Sequence, residues 1–130
     1  MILSIMAICA GASTGALGRW LFGLWLNPIF SAFPLGTLAV NWLGSFIMGV
    51  LTAFFALAPA LAPQWKLLGI TGFLGSFTTF SAFAGEMGAL LSSGRIALCA
   101  GAICLHVFGS ILLFFLGAAG VSFIKNGHIF

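Results

Sequence analysis

Charged residues are scarce in this sequence, and acidic residues are almost missing. Only 4% of its 130 residues are charged and a single one is acidic, whereas 62% are hydrophobic. A soluble globular domain carries about 25% charged residues, so this composition excludes a solvated surface and indicates an integral membrane protein. The net charge of +3 is scattered along the chain. It therefore lacks the clustered basic face that nucleic-acid binding requires.

The chain also lacks the residue sets that reactive or metal sites need. Its three cysteines lie inside apolar runs without zinc or redox spacing, which favours a role as small apolar filler. Glu86 is the only acid, and His106 is the only histidine within an apolar stretch. One acid and one imidazole do not make a catalytic dyad or a side-chain metal site, so the sequence does not indicate an enzyme. For His106 we expect a neutral hydrogen-bonding role.

Four apolar stretches are long enough to cross a membrane, which takes about 20 residues. We predict spans at approximately residues 2–26, 34–58, 66–94 and 96–124, with "NPIFSAFP" as the first turn. The N-terminus has no basic region of the kind that begins a signal peptide, so the first span is expected to be retained. The connecting loops are short. The prediction is one all-α, four-span membrane domain.

The third interval is too long for one uninterrupted helix. About 29 residues separate Lys66 from Arg95, or roughly 43 Å of α-helix against a hydrocarbon core of about 30 Å. In its middle stands "GFLGSFTTFSAF", residues 72–83, rich in glycine, hydroxyl groups and phenylalanine. We predict that the helix breaks at "GSFTT", where several residues take non-helical backbone.

The basic residues do not favour either orientation in the membrane. With four spans, Lys66 and Lys125 fall on one side, whereas Arg95 and Arg19 fall on or near the other. The orientation of a membrane protein follows the lysines and arginines of its short loops. An even division of these residues between the two sides therefore favours neither orientation. We predict dual topology, with oppositely inserted copies pairing as an antiparallel homodimer. A single orientation, set by a weaker bias, is the alternative.

Polar residues recur at helical spacing within the apolar spans. They are Thr37, Asn41 and Ser45 in the second, Ser76, Thr78, Thr79 and Ser81 at the break, and His106 and Ser110 in the fourth. Polar groups in lipid usually face protein or water, so the three sets are candidates for one polar path. The alternative is interhelical hydrogen bonding, worth about 0.6 kcal/mol per bond. For Asn41 the stripe favours a functional role.

Glycines and aromatic rings fill much of the remaining sequence. Gly11, Gly15, Gly18, Gly36, Gly44 and Gly49 fit close helix packing. Fifteen residues are phenylalanine. By periodicity alone Phe80 and Phe83 are core residues, but the positive edge of a ring can also attract an anion. Glu86 is expected in a vestibule or a salt link, and Arg19 either extends to the interface or adds positive potential at a pore mouth.

Three of these segments occur together in a known family. "GASTGALGRW", "GTLAVNWLGSFIMG" and "GFLGSFTTFSAF", in that order, resemble the Fluc (CrcB-type) fluoride channels. The resemblance covers all four spans. It implies an antiparallel, dual-topology homodimer in the inner membrane of a bacterial cell. Such a dimer holds two pores that let toxic fluoride leave the cytoplasm.

The resemblance also implies roles for individual residues. The rings of Phe80 and Phe83 would present their edges to the ion beside the amide of Asn41. The hydroxyls of Thr79, Ser81 and Ser110 would be parts of the polar path. Thr37, also a candidate pore residue, and Arg19 would lie towards a vestibule. The backbone carbonyls of Gly75 and Thr78, from both subunits, would hold one structural Na⁺. His106 stands where the family commonly has tyrosine, and Phe114 interrupts the polar path one turn beyond Ser110.

Two other functions stay open on the residues alone. A proton-coupled exporter similar to the small multidrug-resistance transporters would need a glutamate in the first span, where this chain has no acid. A membrane protein without transport activity would use the polar stripes only for packing. The donors and ring edges indicate an anion rather than a cation, and the choice of fluoride over other halides comes from the resemblance.

Overall fold

A computed structural model describes residues 1–30 and 33–126, and the regular secondary structure of this part of the chain is helical. The helices are α1 (Ile2–Leu26) with a 3₁₀ turn (Asn27–Ile29), α2 (Leu35–Leu57), α3 (residues 63–77), α4 (Phe80–Ser92) and α5 (Ile96–Asn126). Four segments can span a membrane, because α3 and α4 together form the third. The predicted all-α architecture with four spans is confirmed. In the turn predicted at "NPIFSAFP", positions 31 and 32 lie outside the described residues.

The third span is interrupted within the predicted "GSFTT" segment, but only at its last two residues, because Gly75–Phe77 is still helical. The backbone is extended at Thr78 (φ −82°, ψ 158°) and Thr79 (φ −152°, ψ 120°), and the helix restarts at Phe80. A second irregularity was not predicted: Leu67–Leu74 is π-helical. Its i→i+5 turns are wider than those of an α-helix. They therefore absorb additional residues of the long third interval.

Helix α1 packs on α3 through backbone contact. An added Cβ at Gly11 or Gly15 would overlap the carbonyl oxygen of Leu68 or Phe73. A Cβ at Gly72, on the opposite helix, would lie 2.7 Å from the Ile8 carbonyl oxygen. Small residues on both faces let the helices approach this closely, which is how membrane helices associate without a hydrophobic driving force.

Helix α2 packs most extensively on α5 by the same means. A Cβ at Gly49 would overlap the carbonyl oxygen of Phe114, and one at Gly117 would overlap that of Phe46. Each helix thus contributes a glycine against the backbone of the other. This reciprocal contact fixes the register of α5 against the Thr37–Asn41–Ser45 stripe of α2.

A buried apolar cluster joins α4 to the beginnings of α2 and α5. Its members are Phe33, Leu38, Phe83, Met87, Leu90, Cys99 and Ala102. The connection from α4 to α5 turns at Gly94, which has a positive φ of 73°. There the Arg95 N–H donates to the Leu90 carbonyl oxygen at 2.9 Å, closing the helix end as a Schellman-type motif does. This turn places Phe83 opposite His106.

Candidate functional site

A groove of about 420 Å³ runs between α2, the break in the third span, and α5. Six of the predicted pore residues line it, namely Asn41, Thr79, Phe80, Phe83, His106 and Ser110. Ser45, from the predicted stripe on α2, lines it as well. Tertiary packing therefore brings the polar sets of three spans to one surface.

Asn41 is bonded to the backbone of the break. Its Nδ2 donates to the Thr79 carbonyl oxygen at 3.0 Å, and its Oδ1 accepts from the Thr79 N–H at 2.8 Å. One side chain thus pairs with both backbone polar groups of a residue that has left the helix. In lipid an unpaired backbone group costs several kcal/mol, so Asn41 stabilises the break.

Carbonyl groups lose their helical donors at the break, among them those of Gly75 and Thr78. In an α-helix the Thr79 N–H would donate to the Gly75 carbonyl oxygen, and the Ala82 N–H would donate to that of Thr78. Instead the Thr79 N–H donates to Asn41, and the Ala82 N–H donates to the Thr79 hydroxyl oxygen at 3.2 Å. Thr79 is therefore the N-cap of α4. Gly75 and Thr78 are the two residues for which the resemblance implies cation binding.

Arg19 also reaches the break. Its Nε donates to the carbonyl oxygen of Ser76 at 3.0 Å. Gly44 on α2 faces the same region, where an added Cβ would overlap the Thr78 methyl group. The break is therefore held by α1 as well as by α2. The predicted vestibule role of Arg19 stays a prediction.

The aromatic rings form a continuous row into the groove. The ring centroids of Phe80 and Phe83 are 5.4 Å apart, and those of Phe83 and His106 are 4.6 Å apart. Phe80 is 79% exposed on this single chain, whereas Phe83 is only 9% exposed. The row therefore extends from the surface beside the break to the buried imidazole.

His106 is 5% exposed and lies at the inner end of this row. Its Nδ1 is 3.4 Å from the Nδ2 of Asn41. The other ring nitrogen, Nε2, is buried and has no hydrogen-bond partner among the described residues. The His106 ring thus lies next to the Asn41 amide, which is bonded to the backbone of the break.

Two further predicted hydroxyls lie near these groups. The Oγ of Ser81 is 3.2 Å from the Oγ1 of Thr79, at the exposed side of the break. Ser110 lies one helical turn beyond His106 and is half-buried, and the ring of Phe114 follows it along the groove. Hydroxyl groups thus flank the aromatic row at both ends.

Thr37 and Glu86 form a separate polar pair one helical turn from Asn41. The Thr37 hydroxyl donates to Oε1 of Glu86. The other carboxylate oxygen, Oε2, is buried without a partner among residues 1–30 and 33–126. The structure thus pairs Thr37, predicted in the pore, with Glu86, predicted beside it, and both roles stay predictions.

Trp42, which neighbours Asn41, was not predicted as a residue of the site. Its Nε1 donates to the carbonyl oxygen of Leu105 at 2.9 Å, immediately before His106. The indole lies over Gly109, where an added Cβ would overlap the ring. Gly109, one turn after His106 on α5, was the only sequence feature that indicated a close contact there. It does not indicate which residue makes the contact.

Side chains alone do not make a metal site in the described part of the chain. No three histidine, cysteine, aspartate or glutamate side chains lie close enough together there to hold an ion. Any cation would have to be bound by backbone or hydroxyl oxygens. The carbonyls of Gly75 and Thr78 are such groups, and hard cations prefer oxygen ligands.

Comparison with known proteins covers nearly the whole chain. Residues 6–118 match the family described as "CrcB-like protein, Camphor Resistance (CrcB)". A "Fluoride-specific ion channel FluC" of Tolumonas auensis is 48% identical over 97% of this chain and 99% of its own length. Proteins of the same name from Chromohalobacter salexigens and Pseudomonas aeruginosa are 50% and 52% identical, over 97% and 88% of this chain and 96% and 90% of theirs.

Proposed function

The chain belongs to the CrcB-like family, and on this premise we propose that it is a fluoride channel rather than an enzyme. Relatives at about half identity and nearly full length carry the name of a fluoride-specific ion channel. They come from bacteria, and the chain has four helices that can span a membrane. A multi-pass protein of the bacterial cell inner membrane, passing fluoride out of the cytoplasm, fits both findings. The family also favours a channel over the proton-coupled exporter.

The observation that carries this proposal is the groove and its lining. Hydrogen-bond donors and aromatic side chains line it from three spans, and its lining residues carry no formal charge when His106 is neutral. Conduction requires an ion to be bound well enough to enter and weakly enough to leave. Aromatic edges and neutral N–H or O–H donors attract an anion without the strong hold of a full positive charge. The lining therefore suits a small anion in transit.

We infer two pores in an antiparallel homodimer with dual topology. The even division of basic residues supports it, as do Phe80, Ser81 and Gly75, which are exposed beside the break on a single chain. An inverted second copy placed against the break would cover these residues. It would also complete each groove with residues of the other chain. The twofold axis would then lie in the plane of the membrane.

We also propose that a structural Na⁺ binds where the breaks of the two copies meet. The Gly75 and Thr78 carbonyls fit this role, because their helical donors bond elsewhere. These carbonyls, one pair from each subunit, would hold the ion. When bound, it would supply a fixed positive charge at the centre of the dimer and link the subunits.

Fluoride efflux from liposomes tests the function directly. Purified protein is reconstituted, and external fluoride is followed with an ion-selective electrode without a proton gradient. We expect passive efflux, strongly reduced by Phe80→Ile and Asn41→Asp. Phe108→Ile is the matched control, because Phe108 is 70% exposed on α5 and outside the groove. Absent wild-type efflux contradicts the channel, and full efflux by both pore variants removes these residues from the path.

Cation exchange tests the sodium site. Replacing Na⁺ by a larger monovalent cation throughout purification is expected to weaken fluoride flux, since carbonyl groups spaced for Na⁺ would not close around the larger ion. Return of Na⁺ should restore flux, and size-exclusion chromatography checks that the dimer persists. Equal flux in both salts would argue against the site.

Reporter fusions test the topology. A reporter active only in the cytoplasm and one active only outside it, each fused to the C-terminus, should both give signal if the chain inserts both ways. Moving one basic residue, by Arg95→Gln paired with a new lysine near Lys66, should bias the ratio. A strong signal on one side only would contradict dual topology.

A further inference from the structure

We propose that the break in the third span fixes the tautomer of His106. Through Asn41 it holds the imidazole proton on Nε2 and presents a neutral N–H donor to the transported anion. The tautomer is inferred from hydrogen bonds alone. That the donor meets a transported anion rests on the proposed function.

The two backbone partners of the Asn41 amide determine its orientation. A backbone N–H can only donate and a carbonyl can only accept. Oδ1 therefore faces the Thr79 N–H at 2.8 Å, and Nδ2 faces the Thr79 carbonyl oxygen at 3.0 Å. A flipped amide would place donor against donor and acceptor against acceptor. Two backbone bonds thus assign the amide without reference to His106.

The orientation of the Asn41 amide in turn determines which nitrogen of His106 accepts a hydrogen bond. One Nδ2 hydrogen of Asn41 is used by Thr79, and the second lies next to Nδ1 of His106, with the two nitrogens 3.4 Å apart. An amide nitrogen is only a donor, so Nδ1 must be the acceptor. A neutral imidazole with a bare Nδ1 carries its proton on Nε2. An imidazolium would set a second N–H of the ring against the amide donor.

The other nitrogen of His106, Nε2, belongs to a ring packed between phenylalanines. It is buried and has no partner among the described residues. Phe83 and Phe33 pack against the ring, with centroids 4.6 Å and 6.0 Å from it. A buried donor without a partner is costly unless something binds it. In a groove lined by aromatic rings and neutral polar groups, a small anion is the occupant that satisfies it.

This coupling gives Asn41 a role other than direct contact with the ion. Both of its amide hydrogens are directed at protein groups, Thr79 and His106. Asn41 is therefore a positioning residue, and the donor that meets the anion is on His106.

Nitrogen NMR in lipid reads the tautomer without any transport assay. The sample is full-length protein labelled with ¹⁵N-histidine, with His128→Asn so that His106 is the single histidine. We expect one bare nitrogen at Nδ1 and one protonated nitrogen at Nε2. A proton on Nδ1, or a mixture of tautomers, would overturn the proposal.

Asn41→Asp tests the coupling in the same sample. A carboxylate still accepts from the Thr79 N–H, but it turns an acceptor towards Nδ1, so the proton is expected to move to Nδ1. An unchanged tautomer would show that Asn41 does not control it. If this variant fails to fold, the wild-type spectrum remains sufficient to overturn or support the proposal.

Fluoride itself tests the donor. Adding fluoride should shift the Nε2–H signal, and equal chloride should not. In flux assays His106→Gln keeps an acceptor for Asn41 and a donor beyond it, whereas His106→Leu keeps neither. We expect His106→Leu to lose about tenfold or more of the flux and His106→Gln to retain most of it. Normal flux in His106→Leu with no shift on fluoride would refute the donor role. Absent wild-type flux with the expected tautomer would instead refute the channel.

Discussion

The two halves of the third span are held in different ways. In α3, before the break, Gly72 faces Ile8 and Gly11 on α1 with backbone against backbone. In α4, after the break, Gly85 and Gly88 have open space where a Cβ would be, and Phe80 is 79% exposed. Only one face of α4 is buried, against the apolar cluster. The first half is thus held within the chain, and the second presents a free face to lipid or to another copy.

This difference bears on the proposed dimer. Backbone packing against α1 holds α3 in place, and with it the carbonyl groups at the C-terminal end of α3. The exposed face of α4 carries the aromatic residue nearest to the break. A chain that packed both halves equally would bury Phe80 and leave no surface for a second copy. The following substitutions test the contrast.

The largest effect is expected from Gly15→Ala. The added methyl group would overlap the Phe73 carbonyl oxygen, and backbone on both sides cannot move away cheaply. Overpacking of this kind costs about 1–3 kcal/mol or more. We expect a lower thermal unfolding midpoint in detergent and little monodisperse protein. A wild-type midpoint would show that α1 and α3 are not held by backbone contact.

An intermediate effect is expected from Thr79→Val. The substitution keeps the shape but removes the hydroxyl oxygen that accepts from the Ala82 N–H. Loss of an N-cap typically costs about 1 kcal/mol. The bonds from Asn41 to the Thr79 backbone remain, so the His106 tautomer should not change. Thr71→Val, at an exposed position of α3, is the control, and equal unfolding midpoints for the two variants would argue against the cap.

The smallest effect, with opposite sign, is expected from Gly88→Ala. A Cβ there meets nothing within 4 Å on the single chain. Alanine favours a helix by up to about 1 kcal/mol over glycine, so the unfolding midpoint should stay level or rise. A marked decrease would indicate that a second copy lies closely against this face, which would sharpen the contrast between the two halves.

Much of the fold was predictable because it follows from local requirements. Span length, apolar composition and the excess length of the third interval are properties of a continuous stretch. They placed four helices and the break close to where the structure has them. The close packing expected at Gly11 and Gly15 was also predictable, since small residues at helical spacing have few other uses in lipid. The π-helical turns of Leu67–Leu74 were not, because no residue type marks them.

The site was predictable only in outline. Thr37, Asn41 and Ser45 share one face of α2, but the structure gives each a different partner or place. Thr37 bonds to Glu86, Asn41 holds Thr79 and meets His106, and Ser45 lines the groove. These differences depend on where the third span breaks and how far α5 is shifted along α2. Neither quantity is encoded by spacing along one helix.

What the sequence alone determined is a lipid-embedded bundle of four helices, one of them interrupted, with polar groups too costly to leave facing lipid. These conclusions need only composition and helical period. Tertiary structure decided that Asn41 turns both ends of its amide to Thr79, and that the carbonyls of Gly75 and Thr78 lose their helical donors. It also buried Nε2 of His106 without a hydrogen-bond partner among residues 1–30 and 33–126. A hydrogen bond needs a defined partner at a defined distance, and only packing brings residues 38 and 65 positions apart into contact.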